Sequence, residues 1–427
     1  MIPNVRYPVY LYRIPLMVMN SETLIPHLFR AEFGKITAVL TRLIGFEHIE
    51  DAEDIASATF AKAVESWTFG KIPENPRAWL YAVAKNQALN WIKRHQNFQL
   101  KLKDYLTLNP DESGIIDLSD DSIRDSQLSM LFAICHPAIA QQDQIALALR
   151  ILCGFGIEEI SNAFLSNKEA IQKRIYRAKN KLRQEGLNLE SPSVKDRRNH
   201  LQTVLTMLYL LFNEGYYSES NDTIIREDLA GEAIRLTDLL LQDQHTRMPE
   251  VFALMALMCF QASRFPARRD SDGHLILYED QNQELWDQNL IARGTYFFHQ
   301  AAQGNQLTRF HLEAGIAYWH TQKGDRKDKW ENILDLYNHL LVLEYSPIAA
   351  LNRTFALSKV RGKDAARQEA LKLKLDNSPY YHSLLCELYL PEHPDQAVLH
   401  LRQAIDLVKT NTEKALLLQK LMVIQNT

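Results

Sequence analysis

The sequence is poor in the residues that break helices or cross-link small folds. Of its 427 residues, 15 are glycine, 15 are proline and four are cysteine. No strand-like alternation recurs, whereas long segments rich in Leu, Ala, Glu and Lys have helical periodicity, so the chain is predicted to be all-α. The cysteines form no C-x-x-C pair and have no zinc spacing, which indicates reduced core residues. They are Cys135, Cys153, Cys259 and Cys386.

Two further absences limit the function. No apolar run reaches the roughly 18 residues that span a membrane. The apolar stretch at residues 9–19 is interrupted by Arg13 and Pro15 and lacks the cleavage site of a signal peptide. The sequence also lacks a glycine-rich phosphate loop, G-x-S-x-G and H-E-x-x-H. We therefore expect a cytoplasmic protein that is not an enzyme and has no membrane contact, metal or cofactor.

The net charge of −4 is unevenly distributed along the chain. Residues 1–199 carry 25 basic and 23 acidic side chains, whereas residues 200–427 carry 23 and 29. The whole chain is therefore not a basic coat for nucleic acid, and any DNA contact must be local.

Residues 156–183 have the pattern of a helix-turn-helix. A short amphipathic segment is followed by a turn at Leu165-Ser166 and by a second helix, for which Ser166 and Asn167 are equally good N-caps. The second helix carries seven basic residues and one acid, which suits a major groove. A solvated basic helix with no ligand remains the alternative. The apolar stripe of this helix consists of Ile171, Ile175, Ala178 and Leu182.

Two earlier segments also combine helical periodicity with a charge pattern. Residues 51–66 begin with several acids, which the helix dipole favours. Residues 76–95 begin with a proline and interleave basic and aromatic side chains, a combination that suits single-stranded nucleic acid because bases stack on rings while cations hold the backbone. The alternative interpretation of each segment is an ordinary helix of a bundle that binds no ligand.

The remaining segments are interpreted as linkers and helical pairs. Residues 104–125 contain seven acids and one base, which indicates an acidic linker. From residue 200 onward, helices of 10–20 residues joined by short turns predict an α-solenoid of tetratricopeptide type. The irregular insert at residues 265–287 superficially resembles a calcium loop at Asp270 and Asp272, but the ligand spacing fails and no calcium site is predicted.

These observations give a predicted domain order for an all-α chain. An N-terminal extension, for which disorder is one interpretation, covers residues 1–21, and a helical bundle covers 22–98. An acidic linker at 99–127 leads to a helix-turn-helix domain at 128–187. A second linker at 188–199 precedes a solenoid at 200–427.

Three stretches resemble the bacterial extracytoplasmic-function (ECF) sigma factors of the sigma-70 superfamily. DAEDIASATFAKA, from residue 51, resembles the region-two helix that docks on the clamp helices of the polymerase β′ subunit. PRAWLYAVAKNQALNWIKR, from residue 76, resembles the segment that melts the minus-ten promoter element. LALRILCGFGIEEISNAFLSNKEAIQKRIYRAKNKLR, from residue 147, resembles region four, which reads the minus-thirty-five element.

A narrower resemblance covers the rest of the chain. CHPAIAQQDQ, LYLLFNEGY, ARRDSDGHLILYEDQNQELWD and SPIAALNR resemble the subgroup of these sigma factors with a long C-terminal tetratricopeptide-like extension. The subgroup resemblance implies that this extension regulates sigma activity. Two features depart from the family: the basic stretch after the minus-ten helix ends at Arg94-His95, and the recognition helix starts at Asn167-Lys168.

The resemblance implies core RNA polymerase, through its β′ clamp helices and β flap, and promoter DNA as partners. The resemblance also allows an unidentified ligand or protein to bind the solenoid. Base reading at minus thirty-five needs polar ends, phosphate binding needs cations, and minus-ten capture needs stacking and polar pockets. The predicted region-four contacts are Lys168, Gln172, Lys173 and Tyr176 for bases and Arg174, Arg177, Lys179 and Lys181 for phosphates. The predicted region-two contacts are Trp79, Tyr81, Lys85, Asn86, Asn90, Lys93 and Arg94, and polymerase docking is assigned to Asp51, Glu53 and Asp54.

Other interpretations stay open at this stage. A stand-alone helix-turn-helix regulator would bind duplex DNA without polymerase, its solenoid serving as a receptor. An enzyme with a helical substrate domain is opposed by the absence of a nucleophile–base or metal cluster. Within the sigma interpretation, the solenoid either clamps the DNA-facing helices or props the sigma domains in an active arrangement. Deletion of residues 200–427 is expected to raise transcription in the first case and abolish it in the second.

Overall fold

A computed structural model of the chain describes residues 21–68, 72–95, 116–164, 166–186, 194–216, 226–268, 276, 278–324, 327–408 and 411–425. Over these ranges the chain forms 18 α-helices and a few single 3₁₀ turns, with no strand, which confirms the predicted all-α class. Several predicted features lie outside these ranges. They are the extension up to residue 20, residues 99–115 of the acidic linker, Leu165 in the turn, residues 188–193 of the second linker and residues 269–275 of the insert.

The helices form two compact units. The first consists of Met1–Leu211 together with Asp238–Thr246, and the second of Phe212–Thr237 and Arg247–Thr427. Residues 200–211 and 238–246 belong to the first unit, so the boundary predicted at residue 200 lies inside α8, the helix Val194–Tyr216. One reason is an ion pair inside that unit, where the Arg197 guanidinium bonds the Asp243 carboxylate.

Three helices form the beginning of the first unit. Pro76 starts the third helix, and the Asn75 side chain accepts a hydrogen bond from the Ala78 amide at 3.0 Å, so this N-terminus is capped. One apolar core joins all three helices and contains Phe33, Leu40 and Leu80. The helices are α1 (Ser21–Ile44), α2 (Ile49–Thr68) and α3 (Pro76–Arg94).

Four further helices follow, and the first of them corrects the predicted acidic linker. That linker was expected to reach residue 127, but the helix begins at Asp120, and Ile116 and Ile123 join the apolar core of α1–α3. The acids were misread because two of them occupy the first helical turn behind the Ser119 cap, where the helix dipole favours negative charge. The four helices are α4 (Asp120–Ile134), α5 (Gln141–Ile151), α6 (Ile157–Ala163) and α7 (Lys168–Gln184).

The second predicted linker also ends earlier than expected. Residues 188–199 were interpreted as polar linker, yet α8 runs over Val194–Tyr216, so its first turns absorb half of that stretch. The polar composition misled the prediction because residues 195–199 are charged or polar and precede the apolar part of the same helix. The next helix, α9, spans Glu227–Gln242.

The second unit consists of helices that pack against their neighbours in chain order. Three of its apolar clusters each join helices that are consecutive in the chain, which is the quasi-one-dimensional organisation of stacked helices. Its helices are α10 (Pro249–Ala262), α11 (Gln288–Ala301), α12 (Arg309–Thr321), α13 (Lys327–Leu343), α14 (Pro347–Arg361), α15 (Lys363–Leu373), α16 (Pro379–Tyr389), α17 (Pro394–Leu407) and α18 (Asn411–Gln425).

The helix starts of this unit follow the sequence signals closely. Four of them have proline at the first helical positions, and α11 begins at Gln288 because the Asp287 carboxylate accepts hydrogen bonds from the amides of Asn289 and Leu290 at 2.9 and 3.1 Å. All four cysteines are buried and none forms a disulfide. Within the described ranges, no helix is long and apolar enough to cross a membrane.

Candidate nucleic-acid interface

The outward face of α7 is polar and basic. Ile171, Ile175, Ala178 and Leu182 are buried, as the stripe predicted. The N-cap is Asn167, whose side chain accepts a hydrogen bond from the Ala170 amide at 2.7 Å, and this resolves the choice between Ser166 and Asn167. The exposed predicted contacts are Lys168, Gln172, Lys173, Tyr176 and Arg177, while Arg174 and Lys181 are half-buried.

The short helix α6 packs against α7 and fixes its N-terminal end. The Gly156 amide donates to the Glu159 carboxylate at 2.6 Å, which closes the first turn of α6. The Ser166 amide donates to the Ser161 carbonyl at 2.9 Å, just before α7 begins. Two helices connected by a short turn in this way leave the N-terminal half of α7 accessible to a groove of DNA.

Two of the exposed cations already have carboxylate partners. The Lys168 ammonium lies 3.1 Å from the Glu158 carboxylate. The Arg177 guanidinium donates two hydrogen bonds to the Asp143 carboxylate, at 2.9 and 3.0 Å, and these bonds raise the pKa of Arg177. Asp143 is buried, so Arg177 is held rigidly while 61% of its side chain stays exposed. A phosphate could thus contact Arg177 without first ordering a mobile side chain.

Lys179 is not on this face, which corrects its assignment as a phosphate contact. Only 8% of the residue is exposed, and its ammonium bonds the Glu53 carboxylate and lies 3.5 Å from that of Glu50. The sequence indicated an outward position because lysine is rarely buried. Lys179 follows Ala178 at the edge of the buried stripe, and this position was the signal in the sequence that could have indicated its burial.

The outward face of α3 is less charged than that of α7. Ala78, Ala82, Asn86, Asn90 and Arg94 recur at intervals of four residues and are all exposed, forming one ridge. Two small side chains followed by two amides leave room for bases beside hydrogen-bonding groups, and the cation stands at the C-terminal end. Of the other predicted contacts, Lys93 is exposed and Lys85 is half-buried.

Trp79 and Tyr81 are half-buried and anchored in the fold, and their assignment as base-stacking rings stays a prediction. The Trp79 ring meets the Trp67 ring edge-on at 5.2 Å and packs on the apolar core. The Tyr81 hydroxyl donates to Glu32 at 2.5 Å and accepts from the Arg77 Nε at 2.9 Å. Burial and the neighbouring Glu32 charge raise the pKa of the Tyr81 hydroxyl. Their aromatic character alone did not distinguish a core anchor from an open stacking surface.

The acidic start of α2 divides into three different environments. Asp54 is exposed, and the half-buried Asp51 accepts a hydrogen bond from the His48 ring at 3.1 Å. Glu53 is only 5% exposed, so its assignment to polymerase docking is corrected. The exposed residues of α2 form an outward stripe that, apart from Asp54, was not among the predicted contacts. Their helical spacing in the sequence was the signal that could have identified them. The stripe consists of Asp54, Ala58, Ala61 and Glu65, flanked by Ser57 and Lys62.

The structure gives no sign of a metal centre beside these helices. Within the ranges listed above, no group of three or more His, Cys, Asp or Glu side chains is arranged to hold a metal ion.

Comparison with known proteins places these helices in a family. Residues 28–98, which cover most of α1 and all of α2 and α3, match the family described as "Sigma-70 region 2", and residues 200–302 match a "Family of unknown function (DUF6596)". The "Uncharacterized protein R00370" of Rhizobium meliloti (strain 1021) is 35% identical over 346 residues, which are 79% of this chain and 81% of that protein.

A sigma factor is also among the similar proteins. The "RNA polymerase sigma factor YlaC" of Bacillus subtilis (strain 168) is 31% identical over 81 residues, 19% of this chain and 46% of that protein. No solved structure matches the chain. The region-two match and the similarity to a sigma factor show that the chain belongs to the sigma-70 family.

Proposed function

We propose that the protein is an ECF-type sigma factor that binds core RNA polymerase, directs minus-ten melting and recognises the minus-thirty-five element. The observation that carries this proposal is the coincidence of the region-two match with the exposed ridge of α3. The protein acts without catalysis of its own, in the cytoplasm, and polymerase supplies the chemistry.

The ridge of α3 suits an unpaired minus-ten strand. Asn86 and Asn90 offer amide donors and acceptors that can read the edges of bases once the strands separate. The small side chains of Ala78 and Ala82 protrude little from the helix, so a flipped base has space beside the amides. Lys93 and Arg94 are exposed at the end of the same helix and attract the phosphate backbone.

The face of α7 suits duplex DNA in a major groove. Gln172 and Lys173 lie near the N-terminal end, where a recognition helix approaches base edges. The exposed Tyr176 and the carboxylate-anchored Arg177 follow one turn later and are placed for sugar and phosphate contacts. We assign α6 and α7 to a helix-turn-helix on this basis.

The exposed stripe of α2 is the proposed docking surface for the polymerase β′ clamp helices. Asp54, Ala58, Ala61 and Glu65 combine small side chains with acids at both ends, which permits close approach of another helix. Region four is assigned to the β flap. The stacked helices of the second unit form the tetratricopeptide-like regulatory extension, with an unidentified ligand or protein as its effector.

Co-purification with core RNA polymerase, followed by run-off transcription from the promoter upstream of its own gene, tests the proposal. We expect stoichiometric polymerase binding and a discrete start site. The double variant Asn86→Ala, Asn90→Ala should retain polymerase binding and lose most transcription from duplex templates. A matched control removes an ion pair of α15 in the second unit, Glu369→Ala with Lys372→Ala, and should transcribe normally.

Two results would count against the proposal. Binding to duplex DNA in the absence of any polymerase association would favour a stand-alone regulator with a receptor solenoid. Full transcription by the double asparagine variant would remove α3 from minus-ten recognition while leaving the rest of the assignment in place.

A further inference from the structure

One tyrosine ring of the second unit is surrounded by cations and by nitrogen-bearing rings. The centre of the Tyr278 ring lies 5.0 Å from the Arg264 guanidinium and 5.6 Å from the Lys329 ammonium. The His320 ring meets it edge-on at 4.9 Å, and the Trp286 ring lies nearly parallel to it at 6.3 Å. These side chains come from five separate segments, so only the tertiary fold brings them together. We call Arg264, Tyr278, Trp286, His320 and Lys329 the Tyr278 cluster.

Three nitrogen atoms of the Tyr278 cluster are buried and have no hydrogen-bond partner in the part of the chain that the structure describes. They are the Nε of Arg264, the Nε1 of Trp286 and the Nδ1 of His320. A buried N–H group without a partner is costly, and folded proteins leave few of them. Trp286 is only 2% exposed, so its indole N–H is also shielded from bulk water. Three such atoms around one ring indicate a place for hydrogen-bonding atoms of a ligand.

The Tyr278 cluster also carries positive charge. Arg264 donates to the Tyr216 hydroxyl at 2.6 Å and forms no ion pair with any carboxylate among the described residues. Lys329 is 3% exposed and contributes a second charge. Burial, together with these two cations, holds the pKa of His320 well below its ordinary value, so the imidazole stays neutral. A cation that is partly removed from water is stabilised by a nearby anion.

Two acids next to the cluster in the sequence have other partners. Glu279 forms an ion pair with Lys359 at 3.0 Å, and Asp287 accepts hydrogen bonds from the first amides of α11. Arg264 and Tyr278 are half-buried, so the cluster reaches the protein surface and a small solute can approach it.

We propose that the Tyr278 cluster is a binding site for a small oxyanion, a carboxylate or a phosphate group. The guanidinium of Arg264 and the indole N–H of Trp286 donate hydrogen bonds to its oxygen atoms. Lys329 adds charge, and the neutral His320 adds a hydrogen-bonding nitrogen without further charge.

The site gives a chemical class to the unidentified effector of the second unit, and this regulatory role rests on the proposed sigma function. The oxyanion contacts residues from the end of α10, the segment before α11, and α12 and α13. Binding to this folded arrangement alone stabilises it by mass action. Binding is measured without polymerase, so failure of the site and failure of the sigma proposal are distinguishable.

The indole N–H of Trp286 reports directly on binding. The full-length protein with ¹⁵N-labelled tryptophan gives one indole signal for each of its six tryptophans, and Trp286→Phe identifies the signal of Trp286. Inorganic phosphate and acetate are titrated separately, with sodium chloride at equal ionic strength as the control for screening.

We expect a saturable downfield shift of the Trp286 signal with at least one probe and no such shift with chloride. A response to phosphate alone identifies a phosphate-bearing ligand, and a response to acetate alone identifies a carboxylate. Arg264→Gln removes the charge and should weaken binding by about tenfold or more. Arg402→Gln, at an exposed position of α17, is the matched control and should bind like the natural protein.

Thermal melting without probe establishes that each variant is folded. If Arg264→Gln does not melt cooperatively, Arg264→Lys replaces it, because it keeps the charge and loses the Nε donor, and it should also bind more weakly. A Trp286 signal that neither probe moves would overturn the site, as would equal shifts with chloride or in the Arg264 variant. Binding that leaves run-off transcription unchanged would overturn the regulatory role and leave the oxyanion site in place.

Discussion

The two units each bury a lysine, and the two lysines differ in how far along the chain their hydrogen-bond partners lie. In the first unit, Lys179 bonds the carboxylate of Glu53, which belongs to a helix more than 100 residues earlier in the chain. In the second unit, Lys329 is 3% exposed and donates to the carbonyl oxygens of Gln322 and Gly324, at 2.9 and 3.3 Å, and to the Tyr278 hydroxyl at 3.1 Å.

This difference distinguishes contacts that local chain geometry fixes from contacts that depend on helix packing. Lys329 closes a turn between neighbouring helices, where its carbonyl partners are fixed by local chain geometry. Lys179 instead joins α7 to α2, two segments that only the tertiary packing of the first unit brings together. A contact within one turn follows from the local course of the chain, whereas a contact between distant segments depends on how the helices pack.

The largest expected effect comes from removing the charge of Lys179. Lys179→Met keeps the length of the side chain but leaves Glu53 with Arg150 alone, so the free energy of unfolding of the first unit should fall by about 3 kcal/mol, the low end for breaking a buried pair. Denaturant unfolding measures this change. Lys173→Met, on the exposed face of the same helix, is the matched control and should unfold like the natural protein.

Lys173, the exposed counterpart of Lys179 on α7, is expected to affect DNA binding instead of stability. Lys173→Ala should weaken specific binding of the minus-thirty-five duplex by about 1–3 kcal/mol and relax the preference at one base pair. Titration with matched and mutated duplexes, in the polymerase complex, measures both effects. An equal loss on every sequence would place Lys173 on a phosphate instead of a base.

A neutral buried imidazole gives the second unit its own pH dependence. Burial, together with the nearby charges of Arg264 and Lys329, lowers the pKa of His320 from 6.5 to about 3. Below pH 6.5 the unfolded chain takes up a proton that the folded chain rejects, so stability falls as the pH decreases. At pH 5.5 the loss is about 1.4 kcal/mol.

Comparison of the natural protein with His320→Gln at pH 7.5 and 5.5 isolates this contribution. The variant should lose less stability between the two pH values, by about the same 1.4 kcal/mol. Parallel pH dependence in both proteins would show that His320 is protonated in the folded state or exposed to water.

The smallest expected effect tests whether Tyr81 is an anchor or a stacking ring. Tyr81→Phe removes the hydroxyl between Glu32 and Arg77 but keeps the ring, so stability should fall by about 1 kcal/mol. Binding of a minus-ten single strand should be unchanged. A stacking ring would give the opposite pattern in Tyr81→Ala, with lost strand affinity and unchanged stability.

The sequence predicted helix positions well because the signals for them are local. Pro76 and Asn75 specify the start of α3, and the stripe of Ile171, Ile175, Ala178 and Leu182 specifies the buried face of α7. It predicted linkers poorly because acids in a first helical turn, such as Asp120, have the same composition as a charged loop. Asn86, Asn90, Gln172 and Lys173 were predicted contacts and are exposed.

The sequence by itself therefore determined the all-α class, most helix boundaries and the resemblance to sigma factors, since periodicity, caps and motifs are properties of neighbouring residues. Only the tertiary structure decided that Glu53 and Lys179 are buried partners and that Trp79 and Tyr81 are anchors. Charge and aromaticity are compatible with either role. Which one a side chain adopts depends on the distant helix that packs against it.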